Sequence, residues 1–254
     1  MTKRRLATTG VAIVAVLGLG LTGCGDRTGA GAPAERAAAA GSASPATTPR
    51  DELTAAIEKL NEQTLRVKLD SAMLSAHGVT DPRARTMQTT LTMAAFGEVR
   101  MLVIGPDTWV KFDGELGEQL GGSRKWLRMD TGDGVMPVDD PGGVKKLLAA
   151  VVDVRGSGDR SYAGTLDYTR SGATGKALTA AGDKAKALPF TATLDEQGRL
   201  RTFTLDMTPI DASLDRMSVT YSEFGTPVRL SPPAPGAVEE APAAIAAAFS
   251  GTPI

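Results

Sequence analysis

The sequence contains one cysteine, Cys24, and its surroundings predict a specific covalent modification. The basic residues 3–5 precede an apolar segment, 11–21, that is too short to cross a bilayer of about 30 Å. This segment closes on Leu-Thr-Gly-Cys, the pattern of a lipobox, in which the thiol accepts a diacylglyceryl group before a peptidase cleaves on its N-terminal side. We therefore expect residues 1–23 to be a lipoprotein signal peptide and Cys24 to become the acylated, palmitate-bearing first residue.

Acylation at Cys24 would place the protein at the extracytoplasmic face of the cell membrane. Each buried CH₂ contributes about 0.8 kcal/mol, so two or more chains make attachment effectively permanent. A lone cysteine forms no disulfide within its own chain, and the exported domain must then be held by its core alone. The alternative is an ordinary signal peptide that happens to contain a cysteine.

No other set of side chains in the sequence predicts a catalytic or metal site. His77 is the only histidine, it lies in a turn-like stretch, and the ligands that would complete a zinc site with it are missing. The Gly-x-Ser-x-Gly motif and the phosphate-binding loop are absent. Asp130, Asp133, Asp139 and Asp140 cluster, but their spacing fits no calcium loop and favours a solvated acidic loop. We expect no enzymatic activity, no metal and no cofactor.

The elements that position the remaining residues form an α+β pattern over residues 51–230, with three predicted helices. The first has Thr48 as its N-cap. The second is capped by Asp140 and carries an apolar stripe that ends at Val151. The third, over 174–187, stops before a proline.

Alternation of apolar and polar residues predicts that most of the domain is a large antiparallel sheet. Residues 195–198 provide a hairpin turn. The predicted strands cover 65–73, 87–93, 99–103, 109–113, 126–130, 162–168, 190–194, 200–207 and 214–221.

Two flanking segments have compositions that do not support a core. Residues 24–50 comprise the lipidated cysteine and a small-residue tether with a root-mean-square reach of about 30 Å. Residues 231–254 form a Pro/Ala-rich tail for which we expect little packing. Without residues 1–23 the chain has 25 basic and 29 acidic residues, so we expect no binding to nucleic acid.

Methionine is frequent in the predicted strands, where its flexible thioether suits either gap-filling in an ordinary core or the wall of an adaptable apolar cavity. The sequence leaves both readings open. The methionines concerned are Met73, Met87, Met93, Met101, Met129, Met207 and Met217.

The order of several short motifs carries a family resemblance. They are WVK at 109–111, WLRMD at 126–130, SYAGTLD at 161–167, LPF at 188–190, DEQGRLR at 195–201 and YSEFGTPV at 221–228. Together with the lipobox, this order over residues 51–233 resembles the LppX/LprG family of actinobacterial lipoproteins, which shares its fold with the LolA lipoprotein carriers.

The resemblance implies a half-barrel, a large curved antiparallel sheet with helices packed on its concave face and an apolar cavity between them. It also implies that the protein binds or transports an acylated lipid or lipoglycan. We expect the protein to be a monomer. Such a cavity shields acyl chains from water at about 25 cal/mol per Å². From strand alternation, we expect the cavity to be lined by Leu65, Val67, Leu69, Leu91, Met93, Met101, Val103, Phe203 and Leu205.

Two other functions remain open on the sequence. A membrane-tethered sensor or scaffold would bind an envelope protein through its sheet face, with the acidic loop or Trp126 as the contact. An envelope hydrolase would need a pair of acidic residues that the sequence does not single out.

Overall fold

The computed structural model describes residues 47–93, 97–114, 125–129, 137–172, 176–243 and 245–246. All of them fall in one compact unit, Pro45–Ile254. The predicted signal peptide, Cys24, nearly all of the tether and two of the four clustered aspartates, Asp130 and Asp133, lie outside the described residues.

Within the described residues, twelve strands form one open, mixed sheet in the order β12-β6-β5-β4-β3-β2-β1-β11-β10-β9-β8-β7. Neighbouring strands are antiparallel, except that β12 runs parallel to β6. In chain order the strands are β1 (Leu65–Asp70), β2 (Leu74–Asp81), β3 (Thr86–Met93), β4 (Gly97–Ile104), β5 (Asp107–Asp113), β6 (Trp126–Met129), β7 (Val151–Gly158), β8 (Ser161–Leu166), β9 (Leu188–Leu194), β10 (Leu200–Asp206), β11 (Arg216–Ser222) and β12 (Val238–Glu240).

The three helices of the described residues are α1 (Pro49–Glu58), α2 (Val144–Ala149) and α3 (Lys176–Ala181). The predicted start of α1 is confirmed, because Thr48 and Asp51 form a reciprocal capping box. The ordered domain thus begins before residue 51. The third helix continues as a 3₁₀ turn to Ala187 and ends where β9 begins, as the proline predicts.

The second helix is shorter than predicted and begins later. Asp140 still satisfies its first turn, since its two carboxylate oxygens accept from the backbone N–H groups of Lys145 and Lys146 at 2.8 and 3.0 Å. Val151 was expected on the buried face of this helix, and that prediction was wrong. It begins edge strand β7 instead, a strand whose mostly exposed residues give no alternating signal.

Strand β2 was also missed, and His77 lies within it rather than in a turn. The inward positions of β2 include Ala76, Gly78 and Thr80, which are too small or too polar to produce a hydrophobic alternation. Gly78 is required there by packing, because a Cβ would lie 2.5 Å from the backbone oxygen of Gln88 on β3.

Most of the described part of residues 231–254 is exposed or half-buried, but two places in it pack against the sheet. Val238–Glu240 pairs in parallel with β6, and Ile245 is buried among strands β3 to β6. None of the helices that the structure describes is both long and apolar enough to span a membrane.

Candidate functional site

One face of the sheet is apolar across nearly its whole width. Register places inward side chains in rows that cross the strands; one such row runs through Val219, Leu69, Ala76, Leu91 and Val99. All nine residues predicted to line a cavity alternate onto this face, which we call the apolar face. On β1 and β2 the other face carries mainly charged and hydroxyl side chains and His77, and we call it the polar face. Leu102 and Trp109 are buried on this face at β4 and β5.

Side chains of α1 and α2 join inward residues of β1 and β8 to β11 in one apolar cluster. Of the predicted lining residues, Leu65, Val67, Phe203 and Leu205 are buried in a cluster with side chains of α1 and α2, and Leu69 packs against its margin. The helical contribution comes from Leu53, Ala56, Ile57, Val144 and Leu147. These four buried lining residues are therefore core residues in this structure.

The other half of the apolar face, formed by β2 to β6, has a second and separate cluster. It contains the predicted Leu91 and Met101, with Met93 at its margin, while Val103 is buried nearby on the same face. From outside these strands, the described residues add only Ala241 and Ile245. Its buried strand residues are Leu91, Val99, Met101, Val110, Phe112, Leu127 and Met129.

Three small or polar inward residues on β2 and β3, Gly78, Thr80 and Thr89, lie between the two clusters. The neighbouring row through Leu69, Ala76 and Leu91 is apolar, and Met87 is buried on the same face. Gly78 has no side chain to bridge them, and Thr80 and Thr89 bury their hydroxyls by donating to nearby backbone oxygens. The cluster that includes α1 and α2 and the cluster on β2 to β6 are therefore two separate apolar clusters on one face of the sheet.

The apolar face is partly accessible where β1 turns into β2. Leu74 and Met93 pair across β2 and β3 there, and both are only half-buried, as is Ala76. Met73 in the turn is 68% exposed, one of two large hydrophobic side chains that stand out in this way among the described residues. We call this margin, formed by Leu69, Met73, Leu74, Ala76 and Met93, the methionine mouth.

The polar face has an open groove of about 580 Å³ at its β5–β6 end. Trp109, Asp107 and Arg128 form its floor, and Arg128 donates to the Asp107 carboxylate at 2.8 Å. Prolines and acidic residues of the C-terminal segment form the opposite wall: Pro232, Pro233, Pro235, Val238, Glu239 and Glu240.

Titratable groups inside the domain have structural partners. The Tyr221 hydroxyl is fully buried and donates to the Pro141 carbonyl at 2.7 Å, and burial raises its pKa well above 10. Burial and a hydrogen bond to the Glu52 carboxylate raise the pKa of Tyr162 to about 12. Burial likewise raises the pKa of Asp140. These contacts fasten α1 and the α2 loop to the sheet.

The candidate chemical residues of the sequence are not brought together. His77 is exposed on the polar face. Asp139 pairs with Lys145 at 3.2 Å, and Asp140 caps α2. Within the described ranges, no three histidine, cysteine or acidic residues converge on a point that could hold a metal ion.

Comparisons with known proteins do not identify this chain: no protein-family model matches it, and no curated protein does. The resemblance to the LppX/LprG family therefore stays a prediction.

Two parts of the site were missed from the sequence. Strand β2 contributes Leu74 and Ala76 to the methionine mouth. In the sequence, the only sign of this strand is a weak alternation of apolar and polar residues that Gly78 interrupts. Ile245 lies alone in an alanine-rich stretch; as the one large aliphatic residue there, it was the available signal for packing.

Proposed function

We propose that this protein is a membrane-anchored lipoprotein that binds an acylated lipid or lipoglycan along the apolar face of β2 to β6. The observation that carries the proposal is the contrast between the two halves of that face. Helices α1 and α2 pack over one half, whereas the described residues give the other half only Ala241 and Ile245 from outside its strands.

The methionine mouth gives an acyl chain a route to this half. Met73 is exposed to water and Met93 is half-buried, so an apolar path leads from the solvent to the buried Leu91. Methionine side chains adapt to irregular partners, which suits the wall of a site for flexible chains. The motif order shared with the LppX/LprG family implies the same class of ligand and a curved sheet around it.

Binding is tested by native mass spectrometry on residues 24–254 carrying Cys24→Ser, incubated with dipalmitoyl phosphatidylglycerol. This chain keeps the whole compact unit Pro45–Ile254 and cannot be acylated at Cys24. We expect a one-lipid adduct. Ala76→Trp should reduce the bound fraction to roughly a tenth, because the indole would occupy the mouth.

Ser75→Trp is the matched control, since Ser75 is the neighbouring residue on the same strand and its side chain lies on the polar face. It should leave lipid binding unchanged. Absence of any adduct from a protein that melts cooperatively would contradict the proposal, as would equal loss of binding in both variants.

The anchor is a separate part of the proposal and has its own test. The full chain, expressed in an actinobacterial host with labelled palmitate, should incorporate label and sediment with membranes. Cys24→Ser should lose the label. Label that survives this substitution would contradict acylation at Cys24.

The groove on the polar face favours the second candidate function, a tethered module that binds an envelope protein. Trp109 and Arg128 line this groove, and tryptophan and arginine are enriched at protein interfaces. Crosslinking in cells that recovers one stoichiometric protein through this groove, with no lipid bound, would favour that function.

A further inference from the structure

The C-terminal segment passes around the β6 edge of the sheet from the polar face to the apolar face. Pro232 and Pro233 lie beside Trp109 in the polar-face groove. Val238–Glu240 then pairs with β6, and the Ala241 N–H donates to the Arg128 carbonyl at 2.9 Å. Beyond this point Ile245 lies on the apolar face with the second cluster.

Ile245 occupies the surface that the proposed function assigns to an acyl chain. Its side chain is only 4% exposed and shares a cluster with Met101 and Val110, two of the most deeply buried residues of β4 and β5. A branched aliphatic side chain offers the same apolar surface as a short piece of acyl chain. The segment therefore fills part of the face that a lipid would cover.

The described pairing of this segment with the sheet is short. It has three residues in parallel register, and parallel pairing is slightly less stable per residue than antiparallel pairing. The Lys125–Glu239 ion pair spans 2.7 Å, but both side chains are 47% exposed, so solvent weakens it. Of the described neighbours of Ile245, Pro242 and Ala243 are exposed, and Ala241 and Ala246 are half-buried.

We infer that residues 238–243 and 245–246 form an internal occupant of the lipid site, which an incoming acyl chain displaces from the apolar face. The inference rests on the proposed function and adds a way in which the chain itself regulates ligand binding. In the empty protein Ile245 shields the second cluster from water, and in the loaded protein the chain takes that place. Ligand affinity is then set in part by how firmly the segment holds.

The first test titrates cis-parinaric acid, a fluorescent fatty acid, into residues 24–254 carrying Cys24→Ser. Ile245→Ser weakens the apolar contact of the competitor and should tighten binding by about tenfold. Ala243→Ser is the matched control, because Ala243 is exposed in the same segment, and it should leave the affinity unchanged. Weaker binding by Ile245→Ser would show that the segment is part of the site's wall and would overturn the inference.

The second test needs no substitution. Amide hydrogen exchange of the peptide that covers 238–246 is measured with and without palmitate, and palmitate should accelerate it. Binding of palmitate with unchanged or slower exchange overturns displacement while leaving the proposed function intact. If neither the parent chain nor Ile245→Ser binds either fatty acid, the proposed function itself fails, and this inference with it.

Discussion

Two tyrosine hydroxyls join the sheet to the segments that cover it. Tyr162 on β8 donates to the Glu52 carboxylate on α1 at 2.6 Å, and Tyr221 on β11 donates to the carbonyl of Pro141 ahead of α2. A buried carbonyl that loses its donor costs about 1–3 kcal/mol. These two hydrogen bonds hold α1 and the segment before α2 against the sheet, and the side chains between them form a core.

Tyr162 predicts a loss of stability at high pH. Its pKa is about 12 in the folded protein and about 10 when unfolded, so the folded state favours the neutral phenol. The contribution is fully present below pH 10 and is lost as pH rises through 12. Urea denaturation across this range should show a falling free energy of unfolding, and Tyr162→Phe should reduce the slope. An identical slope in the variant would contradict this role for Tyr162.

At the scale of elements, the edge pair β7–β8 depends on a glycine. A Cβ at Gly164 would overlap the Asp153 backbone oxygen and lie 2.8 Å from the Phe190 ring, whereas one at Gly156 meets nothing within 4 Å. Gly164→Ala should therefore destabilise the protein by about 1–3 kcal/mol, and Gly156→Ala should be close to neutral. Chemical denaturation measures both. Equal effects would show that β7 does not pack against β8 as described.

Strong local signals were sufficient to predict most elements from the sequence. The capping residues of α1 and the alternation in β3 to β5 are local, and the structure confirms them. Strand β2 failed because its inward residues are small, and β7 failed because an exposed edge strand has no apolar face.

The candidate site was predictable only in part, for a physical reason. Alternation correctly placed the nine lining residues on one face of the sheet, but it does not reveal which half the helices cover. That division depends on where α1 and α2 pack, and their packing is determined by contacts between residues far apart in the sequence. The contact of Ile245 with strands more than a hundred residues earlier is likewise invisible to local patterns.

At the scale of the whole molecule, one sheet carries two apolar clusters, and different segments of the chain pack against each. One is closed by helices and gives the domain its core without a disulfide. The other contacts Ala241 and Ile245 of the described C-terminal segment and is partly accessible at the methionine mouth. We propose that the second cluster is the binding surface, and its separation from the helix-associated core would let ligand exchange without unfolding.

The most direct test of this account is to map where a fatty acid lies in the bound protein. A palmitate analogue with a diazirine near its methyl end is photolysed with residues 24–254 carrying Cys24→Ser, and labelled peptides are identified by mass spectrometry. The account predicts labels on inward residues of β2 to β5, centred on Leu91, Met93 and Phe112. Labels confined to the Trp109–Arg128 groove of the polar face would contradict it.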